Sequence, residues 1–190
     1  MQRLETFFGY SVSISGERTV VGAVGEASGS NDINGGQRKN GALRAGAAYV
    51  FARTTTGSGT NISTNWSQQS YLKASNSQRG DFFGYSVCIH EKRVIVGAPF
   101  HANQTGAAYI YETSGTKWKQ KGLLKAKNAQ NGDQFGKAVA IHGETALVGA
   151  PFESSNAREV DGKATNNLAP KAGAAYLFLH QGKNGNRIPI

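Results

Sequence analysis

Apolar and small or polar residues alternate in short runs along the whole chain. Phe83, Tyr85, Val87 and Ile89 form one such run, and Ala107, Tyr109 and Tyr111 another. A period of two places every second side chain on one face, the pattern of a half-buried β-strand. Helical spacing is sustained nowhere, so the pattern predicts an all-β chain.

The runs repeat. One block occurs three times, as Phe8-Gly9-Tyr10-Ser11-Val12-Ser13-Ile14, Phe83-Gly84-Tyr85-Ser86-Val87-Cys88-Ile89 and Phe135-Gly136-Lys137-Ala138-Val139-Ala140-Ile141. A second follows each time: Val20-Val21-Gly22-Ala23, Ile95-Val96-Gly97-Ala98-Pro99 and Leu147-Val148-Gly149-Ala150-Pro151. The third is Gly46-Ala47-Ala48-Tyr49-Val50-Phe51, Gly106-Ala107-Ala108-Tyr109-Ile110-Tyr111 and Gly173-Ala174-Ala175-Tyr176-Leu177-Phe178. A fourth occurs twice, with Trp66 ahead of Leu72-Lys73-Ala74 and Trp118 ahead of Leu124-Lys125-Ala126. The Phe-Gly pairs start 75 and then 52 residues apart, and the extra length falls between blocks, never inside them. Rigid strands joined by drifting loops behave this way.

Each block reads as one strand, A to D. Tight A-to-B turns such as Ser15-Gly16-Glu17-Arg18 and His142-Gly143-Glu144-Thr145 make antiparallel hairpins. Four antiparallel strands repeated about every 50 residues are the mark of a β-propeller blade, with strand A innermost and strand D outermost. The expectation is a single partial propeller over 1–190, of about three blades and 11 strands. Blade 1 covers about 7–75, blade 2 about 82–127, and blade 3 about 134–180 without an outer strand, followed by a coil tail at 181–190. Three blades are too few to close a ring, so remaining blades are expected from a longer chain or another protomer. The first repeat has Val24 where the others have Pro99 and Pro151, which predicts a less sharp end to its strand B.

Phe-Gly at strand A, Gly-Ala-Pro closing strand B and Gly-Ala-Ala-Tyr opening strand C resemble the FG-GAP repeat, the blade unit of the integrin α-chain propeller. The likeness runs from Phe8 to Phe178 and is closest to the bacterial and algal type. It implies a propeller with a role in extracellular recognition or adhesion, and no enzyme activity. The integrin-type repeat carries a DxDxDG calcium loop between strands A and B. Here that loop is only Ser15 to Thr19, His90 to Arg93 and His142 to Thr145, too short for six to eight oxygen ligands.

Composition narrows the picture further. Glycine supplies 25 of 190 residues, as tight turns require, and the single Cys88 excludes an internal disulfide and a cysteine zinc site. Cys88 aligns with Ser13 and Ala140, a packing position. The first ten residues lack the order of a signal peptide, and no run is apolar enough to span a membrane. A net charge of +9 favours anionic partners. A protein or glycan ligand is expected, with neither nucleic acid nor membrane insertion, at an extracellular or cell-surface location.

In an antiparallel A-B-C-D unit the B-to-C and D-to-A loops emerge on one rim. The expected ligand-binding rim comprises Glu26, Asn31, Asp32, Arg44, Arg79, Asp81, His101, Asn103, Glu153, Arg158 and Lys171. Arg79-Gly80-Asp81 is the tripeptide that integrins bind, yet Asn131-Gly132-Asp133 in the next repeat explains Gly-Asp by repetition alone. Asn31, Asp32 and Asn34 offer alternating oxygens before Gly35, a weak metal candidate with one carboxylate, and no cofactor is expected. Lys117, Lys119, Lys121, Lys125 and Lys127 flank Trp118. They read first as charges that block edge pairing on an outer strand, and second as an anion-binding stripe. His90 and His142 share a turn position. The twelve acids are scattered, so no acid and base face each other as glycoside cleavage needs. An alternative function is the scaffold of a polysaccharide-acting lyase or hydrolase whose catalytic residues lie outside this chain.

Overall fold

A computed structural model describes residues 5–38, 40–58, 60–158 and 166–180. It contains three antiparallel sheets, each built in chain order. The first is β1 (Phe8–Ser15), β2 (Arg18–Ala23), β3 (Ala47–Thr56) and β4 (Ser63–Leu72). The second is β5 (Ser86–His90), β6 (Arg93–Ala98), β7 (Ala107–Ser114) and β8 (Lys117–Leu124). The third has β9 (Ala138–His142), β10 (Thr145–Ala150) and β11 (Ala174–Leu179). These are propeller blades, the last with three strands among the described residues. The expected tail at 181–190 lies outside the described residues.

The sheets stack through their first strands, and side-chain hydroxyls stitch them together. Ser11 Oγ donates to Gly84 O at 2.8 Å, while Ser13 Oγ and Ser15 Oγ accept from the backbones of Ile89 and Glu91. At the second junction Ser86 Oγ donates to Gly136 O at 2.8 Å and His90 Nδ1 accepts from Gly143 N. Cys88 packs here with its sulfur toward Ile141 O. His90 and His142 stack at 4.2 Å between ring centres, so the shared turn position is a contact between neighbouring turns.

The Phe-Gly motif is a corner rather than the start of a strand in the second and third sheets. Phe82 and Gln134 adopt positive φ, Tyr85 N and Lys137 N return to the carbonyls of residues 82 and 134, and β5 and β9 begin one residue later. The corner drives Phe83 into the core, edge-on to Tyr109 and Tyr111. Phe135 meets Tyr176 and Phe178 in the same way, and both phenylalanines are fully buried. It also forms a parallel bridge back to the preceding sheet, Gly46 to Phe83 and Gly106 to Phe135. Glycine is required at the corner. Gly84 has φ +90° and a Cβ there would lie 2.3 Å from Ala47 O, while Gly136 at +92° would meet Ala107 O at 2.3 Å.

The same residues of the first sheet lack a neighbour. Phe8 packs on Tyr49 and Phe51 as its counterparts do, yet it is 55% exposed. Val12 and Ile14 are 67% and 68% exposed, against 8% and 4% for Val87 and Ile89 at the same positions. Gly9 keeps φ +92° with nothing within 4 Å. At the other end Leu147 is open, where the equivalent Val20 and Ile95 are sealed. Two hydrophobic cores therefore lie between sheets, one around Phe83, Val94 and Trp118 and one around Ile95, Phe135 and Val148.

One expectation from sequence fails. Strand B of the first repeat ends at Ala23, level with Ala98 and Ala150, despite Val24. Hydrogen bonds from Gly25 N to Thr6 O and Glu26 N to Ala23 O close the chain there without proline.

Candidate rim site

The described residues of the B-to-C loops (24–38, 40–46, 99–106, 151–158 and 166–173) and the D-to-A corners gather on one rim, as antiparallel pairing dictates. Residues 26, 101 and 153 open the three loops at equivalent positions, and all are buried. Glu26 accepts from Ser28 N and from Tyr71 OH at 2.8 Å, and pairs with Lys73 Nζ at 3.3 Å. Lys73 also donates to Ser28 O and Gly46 O. Burial holds the Lys73 ammonium below the ordinary lysine pKa, against the pull of Glu26. Burial and the Glu26 hydrogen bond raise the Tyr71 phenol far above its ordinary value.

In the second blade, His101 Nδ1 lies 3.1 Å from Asp81 Oδ2, out of line for a hydrogen bond. His101 Nε2 faces Asn76 Nδ2 at 3.2 Å, and Asn76 Oδ1 accepts from Tyr109 OH. In the third, Asn128 Nδ2 donates to Glu153 Oε1 at 2.8 Å and Tyr176 OH donates to Asn128 Oδ1. Ser155 N and Oγ satisfy the rest of Glu153. Burial, then the charge of Glu153, raises the Asp133 carboxyl, while the Gln130 backbone bond opposes them. The first group anchors its loop to the end of β4 and the connection after it, while the second and third anchor theirs to the D-to-A connection before their own sheet.

The expected rim therefore needs correction. Glu26, Asp81, His101 and Glu153 do not face solvent: all four are buried, and the three carboxylates and His101 Nε2 are engaged in loop anchoring. Asp81 Oδ2 accepts from Gln78 N at 2.8 Å, and Asp133 Oδ2 accepts from Gln130 N at 2.7 Å. Thus Arg79-Gly80-Asp81 presents its arginine but not its carboxylate. Asn34 Oδ1 is taken by Tyr71 N and Ser70 Oγ, which removes it from any ligand set with Asn31 and Asp32. Asn31, Asp32, Arg44, Arg79, Asn103, Arg158 and Lys171 are exposed. Lys117, Lys119, Lys121, Lys125 and Lys127 are also exposed, while Trp118 turns inward and donates to Gln69 Oε1 at 2.8 Å. Lys117, Lys119 and Lys121 thus sit on the outer strand, and Lys125 and Lys127 in the D-to-A connection beyond its end.

A row of side chains joins Arg44 and Lys171 of the expected rim to Tyr10, Phe82, Tyr85, Phe100, Lys137 and Phe152, which the sequence pattern did not single out as a site. Tyr10 and Tyr85 lie 5.1 Å apart, Tyr85 and Phe100 6.0 Å, and Phe100 and Phe82 4.8 Å. Arg44 lies over Phe82 at 5.7 Å, Lys137 over both Tyr85 and Phe152, and Lys171 over Phe152. The row crosses all three blades. Its members occupy matching repeat positions: Tyr10, Tyr85 and Lys137 follow Phe-Gly, and Phe100 and Phe152 follow Pro. Alignment of the repeats carried that signal, but Tyr85 reads as a core position until the corner displaces it. Beside the row, His101–Gln104 makes one turn in which Ala102, Asn103 and Gln104 have φ of 51°, 56° and 65°. Left-handed backbone costs a non-glycine residue about 1–2 kcal/mol, and such strain gathers at functional loops.

Three stitched sheets with one loop-bearing rim define a propeller segment. The FG-GAP repeat model matches residues 5–51, 66–111 and 118–178, most of the chain, and the protein belongs to the FG-GAP repeat family. The second and third matches start at or beside the tryptophan of strand D and end in or at strand C of the next sheet, so the sequence unit straddles two blades. Curated proteins give no significant match. Among the described residues no helix is long and apolar enough to cross a membrane.

Proposed function

We propose that this chain is a non-catalytic recognition segment of a secreted or cell-surface protein, binding a protein or glycan through the rim in an adhesion-like role. The observation that carries this reading is the aromatic and cationic row from Tyr10 to Lys171. Its rings offer flat apolar faces, and Arg44, Lys137 and Lys171 add positive charge without an acidic partner among the described residues. Aromatic anchors with arginine are the usual energetic centres of recognition surfaces. An anionic ligand with a flat apolar face suits both features.

Titration of the chain with dextran sulfate, poly-glutamate and neutral dextran tests the reading. Salt-sensitive binding to one of the polyanions, weakened at least tenfold in Tyr10→Ala and Lys137→Ala, is expected. The polymer that binds separates glycan from protein recognition. Binding lost only in a Lys117, Lys119 and Lys121 triple alanine variant moves the site to the outer strand, and no binding to any polymer overturns the proposal.

A further inference from the structure

The rim row changes character where the second and third sheets meet. Tyr10, Tyr85 and Lys137 hold the position after Phe-Gly in the three repeats, so an ammonium stands where the first two blades have a phenol. Its neighbours fix it in place. Lys137 Nζ lies 5.8 Å from the ring centre of Tyr85 and 4.7 Å from that of Phe152, and donates to Gln134 Oε1 at 2.6 Å. All three partners are uncharged. Asp133 and Glu153, the acids beside Gln134 and Phe152 in sequence, are committed to Gln130 N and to Asn128 and Ser155. No acid among the described residues pairs with Lys137.

The ammonium also dictates which way two amides point. It can only donate, so Gln134 offers it oxygen and turns Nε2 the other way, where it donates to Gln104 Oε1 at 3.1 Å. Gln104 is thereby left with its own Nε2 directed away from Gln134, on an exposed side chain. Gln134 is buried and its backbone N–H donates to Gln104 O at 2.8 Å, so the two residues are tied by backbone and side chain alike. At the junction between the first two sheets the same positions carry Phe82 and Arg44, joined by the same backbone bond but by a cation over a ring in place of two amides. Only the later junction sets hydrogen-bond donors from Lys137 and Gln104 beside the rings of Tyr85 and Phe152.

Donors without acceptors select an acceptor-only group, which means an anion. A peptide backbone brings a donor with every acceptor, and an acidic side chain loses its rotamer freedom when it is held against the ammonium. A sugar ring carries a carboxylate or sulfate on a rigid frame and sets its C–H groups against the aromatic rings, so less freedom is lost on binding.

We propose that Lys137, Gln104 and the rings of Tyr85 and Phe152 form the acid-group subsite for a polysaccharide whose sugars carry carboxylates or sulfate esters. The subsite rests on the recognition role proposed for the rim and narrows that role to acidic glycan, held where the second and third sheets meet.

Isothermal titration calorimetry of the whole chain with polygalacturonate, dextran sulfate and poly-glutamate of matched length tests it. At least one acidic polysaccharide should bind about tenfold more tightly than poly-glutamate, and the one that does identifies the acid as carboxylate or sulfate. Lys137→Tyr installs the residue that the first two repeats carry at this position, and Gln104→Glu replaces an exposed donor with a carboxylate. Each variant should weaken the binding about tenfold with an unchanged far-ultraviolet circular dichroism spectrum. Poly-glutamate binding as tightly as either polysaccharide overturns the subsite and gives the rim to a protein ligand. Undiminished binding by Lys137→Tyr also overturns it, and a loss in Tyr10→Ala alone would then keep the rim as a recognition surface. Failure of all three polymers to bind overturns the subsite and the recognition role together.

Discussion

Gly9 and Gly84 have the same motif, the same corner and nearly the same φ, +92° and +90°, but only Gly84 has a sheet in front of it. Replacing each with alanine separates backbone strain from packing between blades. The conformational cost, about 1–2 kcal/mol, is common to both. Gly84→Ala adds a Cβ 2.3 Å from Ala47 O, a backbone atom that yields only if the sheets part. Overpacking of this kind costs about 1–3 kcal/mol, and the parting sacrifices the Ser11 to Gly84 O hydrogen bond, about 1 kcal/mol more. Gly84→Ala should therefore cost roughly 3–6 kcal/mol in all. At about 2–4 °C per kcal/mol for a chain of this size, Gly9→Ala lowers Tm by about 2–8 °C and Gly84→Ala by about three times as much. Differential scanning calorimetry on the 190-residue chain reads both, with Gly136→Ala as a second buried case. Equal losses at Gly9 and Gly84 would refute the claim that the corner glycine serves the junction between blades.

The two motif tryptophans should divide in the same way. Trp118→Ala empties a buried site and costs about 3–5 kcal/mol in urea unfolding, whereas Trp66→Ala, 41% exposed, costs under about 1 kcal/mol. Lys73→Met strands the buried Glu26 carboxylate and should cost about 3–5 kcal/mol, and adding Glu26→Gln should recover more than half of it in a double-mutant cycle. Stability should fall above pH 10, because burial raises the phenols of Tyr49, to about 12, and of Tyr71, Tyr109, Tyr111 and Tyr176. The unfolded chain releases these protons near pH 10 while the folded chain keeps them, so higher pH favours unfolding. Lys73, lowered by burial, acts oppositely as pH rises toward 10.5 but is one group against five. In a spectrophotometric titration these five tyrosines should ionise only as the fold is lost, and ionisation ahead of unfolding would contradict their burial.

Much of this architecture was legible in the chain because repetition turns one local pattern into three independent readings. Alternation in Val87 to Ile89 and Ala107 to Tyr111, short A-to-B turns and insertions confined to loops specify which segments are strands and in what order they pair. Those are local properties, dictated by side-chain direction and by turn geometry. The sequence also placed the long loops on one rim, since strand direction alone decides which connections share an end.

Burial within that rim was decided by tertiary structure. Glu26, Asp81, His101 and Glu153 look like ligand groups as polar residues in loops, and only the folded chain shows their oxygens and nitrogens bonded to Lys73, Gln78, Asn76 and Asn128. Conversely Tyr10, Tyr85 and Lys137 become one surface only when three corners 52–75 residues apart are stacked, because nothing local brings their side chains together. A strand is chosen by its own residues, but whether a polar group faces water or a partner depends on which distant segment lies against it, and that contact is a property of the packed sheets.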